Sequence, residues 1–186
     1  MAAQGTGPTA DVSVRVAWAD DAAAVARVQV ATWPEQYAGL VDPADVPSGP
    51  EVEERAAEVW RTSMVSPGDA RNRVLVALER NRVVGFAVTA PGTDPDCDPV
   101  ADGELLEICV APDDRRLGHG SRLLQAAADT LVADRFTRAV TWLRAEDDVR
   151  RRFLTEAGWA PDQAHRELEG PGGVRAKQVR LHTALA

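Results

Sequence analysis

Hydrophobic positions along this chain keep two different periods. Val12, Val14 and Val16 alternate with Ser13 and Arg15, the two-residue period of a strand with one buried face. From Asp20 or Asp21, either of which can serve as N-cap, to about Thr32 the spacing becomes helical, with Ala24, Val25, Val28 and Ala31 on the inner side. Trp33-Pro34 is expected to end or kink that helix. A second helix entry lies at Ser48-Gly49-Pro50, with Ser48 as N-cap and Glu51, Glu53 and Glu54 near the positive end. Its apolar stripe is Val52, Ala56, Val59 and Trp60, running to about Met64. After a Pro67-Gly68-Asp69 turn, Val74–Leu78 and Val83–Val88 read as strands joined through Glu79-Arg80-Asn81-Arg82, a hairpin signature. Leu105–Val110 reads as a buried strand, stopped by Pro112, which has no N–H to donate. Leu123, Leu124, Ala127, Ala128, Leu131 and Val132 then return at helical spacing, opposite Arg122, Gln125 and Asp129. Ala139–Arg144 is a strand, and Val149–Ala157 a short helix ended by Gly158. Val174–Thr183 is a last strand, after a turn at Gly170–Gly173. With only one clear crossover, the order predicts a mixed α/β (α+β) fold rather than repeated βαβ units.

Composition narrows the class. At 186 residues the chain fits one domain over 11–186 with room for a substantial core, preceded by a small, polar tail over 1–10 that is expected to be flexible. A net charge of −8 argues against nucleic-acid binding, which would leave a basic footprint. No apolar run approaches membrane-spanning length and no signal pattern opens the chain. Cys97 and Cys109 make neither a disulfide framework nor a metal spacing. The expectation is a cytoplasmic, metal-free protein. From Thr93 to Asp114 the chain carries Asp94, Asp96, Asp98, Asp102, Glu104, Glu107, Asp113 and Asp114 and no basic residue. Such a run is a solvated acidic face, or else a funnel for a cationic ligand.

The chemistry concentrates between Val110 and Ser121. A strand end is followed by Arg115, Arg116, Leu117, Gly118, His119 and Gly120, and then by a helix. A helix start exposes unpaired N–H groups and positive potential, glycine lets the backbone approach closely, and arginine supplies forked donors. Together these suit a phosphate. The loop is not a Walker loop, because Ser121-Arg122 stands where Lys-Ser/Thr is needed. Nor is it the dinucleotide fingerprint, because Leu123 replaces the third glycine.

Arg115-Arg116-Leu117-Gly118-His119-Gly120 resembles the diphosphate loop of the GNAT superfamily of acyl-CoA-dependent N-acyltransferases, Gln/Arg-x-x-Gly-x-Gly/Ala. Trp33, Tyr37, Gly39, Leu40 and Pro43 resemble a run found in many small-molecule members. Glu146-Asp147, Phe153-Leu154 and Gly158-Trp159 stand where the family often shows an acidic residue and Asn, then Phe-Tyr, then Gly-Phe. The resemblance covers roughly residues 12 to 184. It implies a mostly antiparallel, twisted sheet of six to seven strands flanked by about four helices, with the fourth and fifth strands splayed into an acyl-CoA cleft. It implies acetyl-CoA and a small-molecule amine as partners, no nucleic acid or membrane, and is compatible with a homodimer.

Site roles follow from that resemblance. Arg115, Arg116, Leu117, Gly118, His119, Gly120 and Ser121 would hold the diphosphate, His119 through its N–H rather than its ring. Backbone N–H groups near Ile108, Cys109 and Val110 would bind pantetheine and polarise the thioester carbonyl, with Asp147 in the place of the usual Asn. Trp33 and Tyr37 belong to the acceptor side, or pack on one another as a helical pair. A carboxylate must deprotonate the amine. Glu104, eight residues before Pro112, is the first candidate and Glu107 the second; the two face opposite ways on a regular strand unless a bulge intervenes. Leu154 replaces the tyrosine that often acts as general acid, so the thiolate leaves with another donor, with water or unprotonated. Arg150, Arg151 and Arg152 read as a solvated helix face, or else as reaching a coenzyme A phosphate, and Cys109 as a core residue rather than a nucleophile. Besides the small-molecule N-acetyltransferase, these departures leave open a non-catalytic acyl-CoA-binding or regulatory domain, and the shared core leaves open an acetyltransferase for protein N-termini or lysines.

Overall fold

The computed structural model describes residues 12–170 and 173–186; the tail expected over 1–10 and part of the turn expected at Gly170–Gly173 lie outside the described residues. Strands β1 (Val12–Val16), β2 (Arg73–Glu79), β3 (Arg82–Pro91), β4 (Asp102–Val110), β5 (Arg138–Arg144), β6 (Ala160–Glu169) and β7 (Arg175–Ala184) form one seven-stranded sheet in the order β1-β2-β3-β4-β5-β7-β6. Every neighbouring pair is antiparallel except β4 and β5.

Helices α1 (Ala22–Gln36), α2 (Pro50–Val65), α3 (His119–Ala133) and α4 (Asp148–Glu156) divide between the two faces. Val25 and Val28 of α1 and Trp60 of α2 pack with Val76, Phe86 and Cys109. On the other face, Leu123, Leu124, Ala127 and Leu131 of α3 and Leu154 of α4 pack with Leu75, Ala77, Ala87 and Leu105. Alternate residues of β2 thus supply the two cores, which is the period-2 pattern of a strand covered on both sides. Arg80 (φ 48°) and Asn81 (φ 64°) make the tight turn between β2 and β3, both left-handed as a two-residue hairpin of the primed type requires.

The structure corrects several expected boundaries. α1 continues through Pro34 to Gln36, because a proline late in a helix forfeits only one i→i−4 bond. Ala31 of α1 is exposed. The N-cap of α2 is Gly49 (φ 93°), not Ser48, and β4 begins at Asp102 rather than Leu105. β6 escaped the hydrophobic pattern because it is an edge strand, largely exposed and rich in polar side chains.

A Cβ added at Gly85 would lie 2.7 Å from the backbone oxygen of Cys109, an atom that cannot move without breaking the β3–β4 ladder. Gly85→Ala is therefore expected to destabilise the protein by about 1–3 kcal/mol, read as a lower urea midpoint with an unchanged slope.

Candidate active site in the gap between the fourth and fifth strands

β4 and β5 pair only through Asp102↔Arg138, Gly103↔Ala139 and Glu104↔Val140. A bidentate contact of Arg138 with Asp102, at 2.7 and 2.6 Å, clamps that end. Beyond Glu104 the strands part, while β4 stays paired with β3 as far as Gly85↔Val110. Past Leu105, whose carbonyl accepts from Thr141 Oγ1 at 2.7 Å, one edge of β4 is left without β5 as partner, although buried main-chain groups normally find one. The register shift opposite Val88/Thr89 leaves Leu106 as an extra residue. This bulge settles the facing of the two acidic candidates. Leu105 and Ile108 both pack toward α3, so Glu104 and Glu107 project together from the opposite face, the one carrying α1.

Glu104 is buried at the vertex of the gap, with 6% of its surface exposed. Burial first, and then the charge of Asp94, push its carboxyl above the usual range, while Arg166 and Arg180 pull it the other way. Glu107, half-buried, accepts from Gln36 Nε2 at 3.2 Å and from Cys109 Sγ at 3.3 Å. Desolvation, reinforced by Glu107, drives the Cys109 thiol up to about 12, so it is a core thiol and not a nucleophile at neutral pH. Arg144 Nη1 donates to the Gln36 and Ala38 carbonyls at 2.9 and 3.1 Å, joining β5 to the end of α1 across the gap.

The predicted loop lies beside this gap. Arg116 (φ 65°) and Gly118 (φ 84°) turn the chain into α3, whose N-cap Gly118 offers no side-chain cap. The first-turn N–H groups of His119, Gly120 and Ser121 have no acceptor among the described residues. The His119 ring is buried, 3.4 Å from Glu79 but without a hydrogen bond, so the residue presents its main chain to the loop and not its imidazole. Arg115 and Arg116 do not act alike. Arg115 donates to Val110 O at 3.2 Å and pairs with Glu35 of α1 at 2.7 Å, whereas exposed Arg116 has no ion pair among the described residues. Leu117 is exposed, and its carbonyl accepts from Arg122. Ser121 is exposed at the mouth of a groove of about 450 Å³ between α3 and α4. Ile108 and Val110 turn their side chains toward α3. Asp147 caps α4 by accepting from Arg150 N at 2.9 Å. Trp33 and Tyr37 pack edge to face at 6.2 Å near Gln36, the helical pair the spacing allowed.

The acidic run is divided: Asp98 and Asp113 are exposed, as on a solvated face, while other aspartates of the run are bound by arginines. Asp114 is bound by Arg82 at 2.8 and 2.6 Å, and Asp102 by Arg138. Arg180, with its side chain 4% exposed, reaches Asp94, Asp96 and Asp162 at 3.1, 2.5 and 2.7 Å. Trp142 Nε1 donates to Asp94 at 2.8 Å, and the Arg166 guanidinium lies 4.2 Å from the Trp142 ring. Asp94, Asp96 and Cys97 stand close enough together to suggest cation ligands, but the guanidinium of Arg180 already lies among them. Arg180, Asp162, Trp142 and Gln36 were not identifiable as site residues from the sequence. The one signal was the unbalanced acidic run, which requires cations from elsewhere.

The profile of the Acetyltransferase (GNAT) family matches residues 28–159. The chain belongs to the GNAT acetyltransferase family. Solved structures agree on the fold: an N-acetyltransferase from Staphylococcus aureus Mu50 (TM-score 0.72, 15% identity, 95% of this chain and 99% of that one); the PaiA N-acetyltransferase from Thermoplasma acidophilum, in complex with coenzyme A (0.68, 15%, 94% and 99%); and a ribosomal-protein-alanine N-acetyltransferase from Brucella melitensis (0.69, 17%, 93% and 99%). No protein of curated function matches the chain. The splayed fourth and fifth strands of this GNAT chain are those the resemblance implied. No helix among the described residues is long and apolar enough to cross a membrane.

Arg180→Met would strand Asp94 and Asp162 without their cation, and is expected to cost about 3–5 kcal/mol, measured by denaturant unfolding. Asp96 is held at about 2 by its bond to Arg180. Its contribution is present above the ordinary carboxylate value and is lost as pH falls toward 2. Asp96→Asn should therefore flatten that acid limb of the stability profile.

Proposed function

We propose that this protein is an acetyl-CoA-dependent N-acetyltransferase for the primary amine of a small molecule, working by direct attack with Glu104 as general base. The observation that carries this reading is a buried carboxylate of raised pKa at the vertex where β4 and β5 part. An amine attacks only after losing a proton, and a base whose affinity for protons is raised toward neutrality takes it best. Glu107 and Gln36 line the same face and orient the acceptor, with Trp33 and Tyr37 bordering it.

The residues fit acetyl-CoA. The unpartnered N–H groups of His119, Gly120 and Ser121 at a helix start, beside Arg116, suit a diphosphate. A residue with a branched side chain at Gly118 would be strained by its left-handed φ. The unpaired edge of β4 around Ile108–Val110 suits the amides of pantetheine, and the groove between α3 and α4 suits the nucleotide end. The bound thioester supplies an activated acetyl group; the chain positions it, orients the amine and removes its proton. A small acceptor is favoured because the loop between β3 and β4 is latched down beside Glu104 through Asp94 and Asp96. That latch walls the acceptor side where an open peptide groove would otherwise lie.

The test is thiol release from acetyl-CoA across a panel of small amines, with peptide N-termini as comparison. Glu104→Gln should lower kcat by about 10²- to 10⁴-fold with little effect on coenzyme A affinity; unchanged turnover in this variant rules out Glu104 as the base. The sign for stability is opposite. Because burial raises the folded pKa from 4.5, the folded state holds its proton more tightly than the unfolded chain, and ionised Glu104 costs stability as pH rises through that window. Glu104→Gln should accordingly raise Tm at neutral pH while it lowers kcat.

A further inference from the structure

Helix α4 carries three consecutive arginines, and they are used differently. Arg151 donates to Ala145 O and lies 3.8 Å from Asp148. Arg152 is exposed. Arg150 is different: its Nε and Nη2 are buried and meet no acceptor, and it has no ion pair among the described residues. The helix explains its direction. Leu154, four residues on and so on the same face, is fully buried in the α3-side core, and Asp147 pins the Arg150 N–H at 2.9 Å. The side chain of Arg150 therefore starts inward. Its charge is felt at Cys109, where it opposes the larger upward push of burial. Cys109 lies on β4 and α4 follows β5, so a guanidinium near enough to act on Cys109 reaches from α4 toward the gap where the two strands have parted.

On a half-buried arginine, two buried guanidinium nitrogens without an acceptor are costly and call for an explanation. Neither Leu154 nor Cys109 can serve as a proton donor for a leaving thiolate. Leu154 has none to give, and the Cys109 thiol, at about 12 and bonded to Glu107, is a poor one. Resting on the acetyl-CoA reading above, we propose that Arg150 is a catalytic residue whose guanidinium neutralises the charge that develops on the coenzyme A sulfur. In the step, the amine nitrogen forms its bond to the acetyl carbon and passes its proton to Glu104. The C–S bond breaks, and its electron pair stays on sulfur. The thiolate departs paired with Arg150, which keeps all its protons, and is protonated later by solvent. The other ionisable groups around the gap are Glu107 and Cys109 on β4, Arg144 on β5, and Asp147 on the loop into α4. Arg144 is spent on the carbonyls of Gln36 and Ala38, and Asp147 on the Arg150 N–H.

The test needs no acceptor. Wild type, Arg150→Met and Arg150→Lys are titrated calorimetrically with coenzyme A and with desulfo-coenzyme A, which lacks the thiol, from pH about 6.5 to about 9.5, across the free thiol value near 8.5. If Arg150 lowers the bound thiol pKa by about one unit, the affinity ratio of coenzyme A to desulfo-coenzyme A rises about eightfold over that range in wild type. It should stay flat in Arg150→Met and rise in part in Arg150→Lys. Unchanged desulfo-coenzyme A binding by Arg150→Met shows that the variant is folded. A flat wild-type ratio, or a rise that survives in Arg150→Met, overturns the proposal while leaving the acetyl-CoA reading standing. Equal weakening of both ligands at every pH identifies a phosphate contact and also overturns it. Failure of wild type to bind either ligand removes the acetyl-CoA reading itself, and this proposal with it.

Discussion

β4 and β5 run side by side for three residue pairs and then separate, and most of the chemistry follows from that separation. A sheet that stayed zipped would bury Glu104 with nothing to act on and leave no room for a ligand between its strands. Two local devices shape that separation. The Arg138–Asp102 pair clamps the end at which the strands stay together, and the bulge at Leu106 turns Glu104 and Glu107 to a common face. The open edge of β4 then resembles the edge of an unfinished sheet, which a ligand carrying amides can complete at little cost in order. The α3 start lies beside it, so one binding event engages both a row of main-chain groups and a helix terminus.

Much of this fold was legible in the sequence because its signals are local. The β2–β3 hairpin needed only a polar turn between two apolar runs, and α3 only its repeat of leucines and alanines. The turn into α3 was readable because closely spaced glycines between a strand and a helix mark such a junction. What could not be read depends on partners distant in sequence. β6 carries little apolar signal, since it packs on one neighbour at the sheet edge. The shared facing of Glu104 and Glu107 depends on a bulge that leaves no mark in the residue pattern. The pairing of Arg115 with Glu35, eighty residues away, leaves no mark in the loop itself. Arg150 was read as solvated, although its helix face is set by Leu154, whose burial only the packing against α3 reveals.

Charge shows the same division. The long acidic run is the most conspicuous compositional feature of the chain, and in isolation it describes a surface. In the folded protein Asp94, Asp96, Asp102 and Asp114 are met by arginines from β3, β5 and β7. Arg180 alone joins three aspartates, so removal of that one cation exposes several desolvated anions to each other. The cluster sits against Trp142 and next to Glu104, and it is therefore part of the surroundings that set the proton affinity of that carboxylate as well as part of the scaffold.

The reach of Arg180 also has a consequence for how the protein is made. Asp94 and its guanidinium partner are 86 residues apart, so at a synthesis rate of about 5–20 residues per second the aspartate waits roughly 4 to 17 s for that cation to be translated. During this interval the loop carrying it is a run of mutually repelling negative charges with no anchor on the last strand. The wall beside the base is thus among the final parts to set, and a nascent chain carries the vertex carboxylate well before it carries anything to close over it.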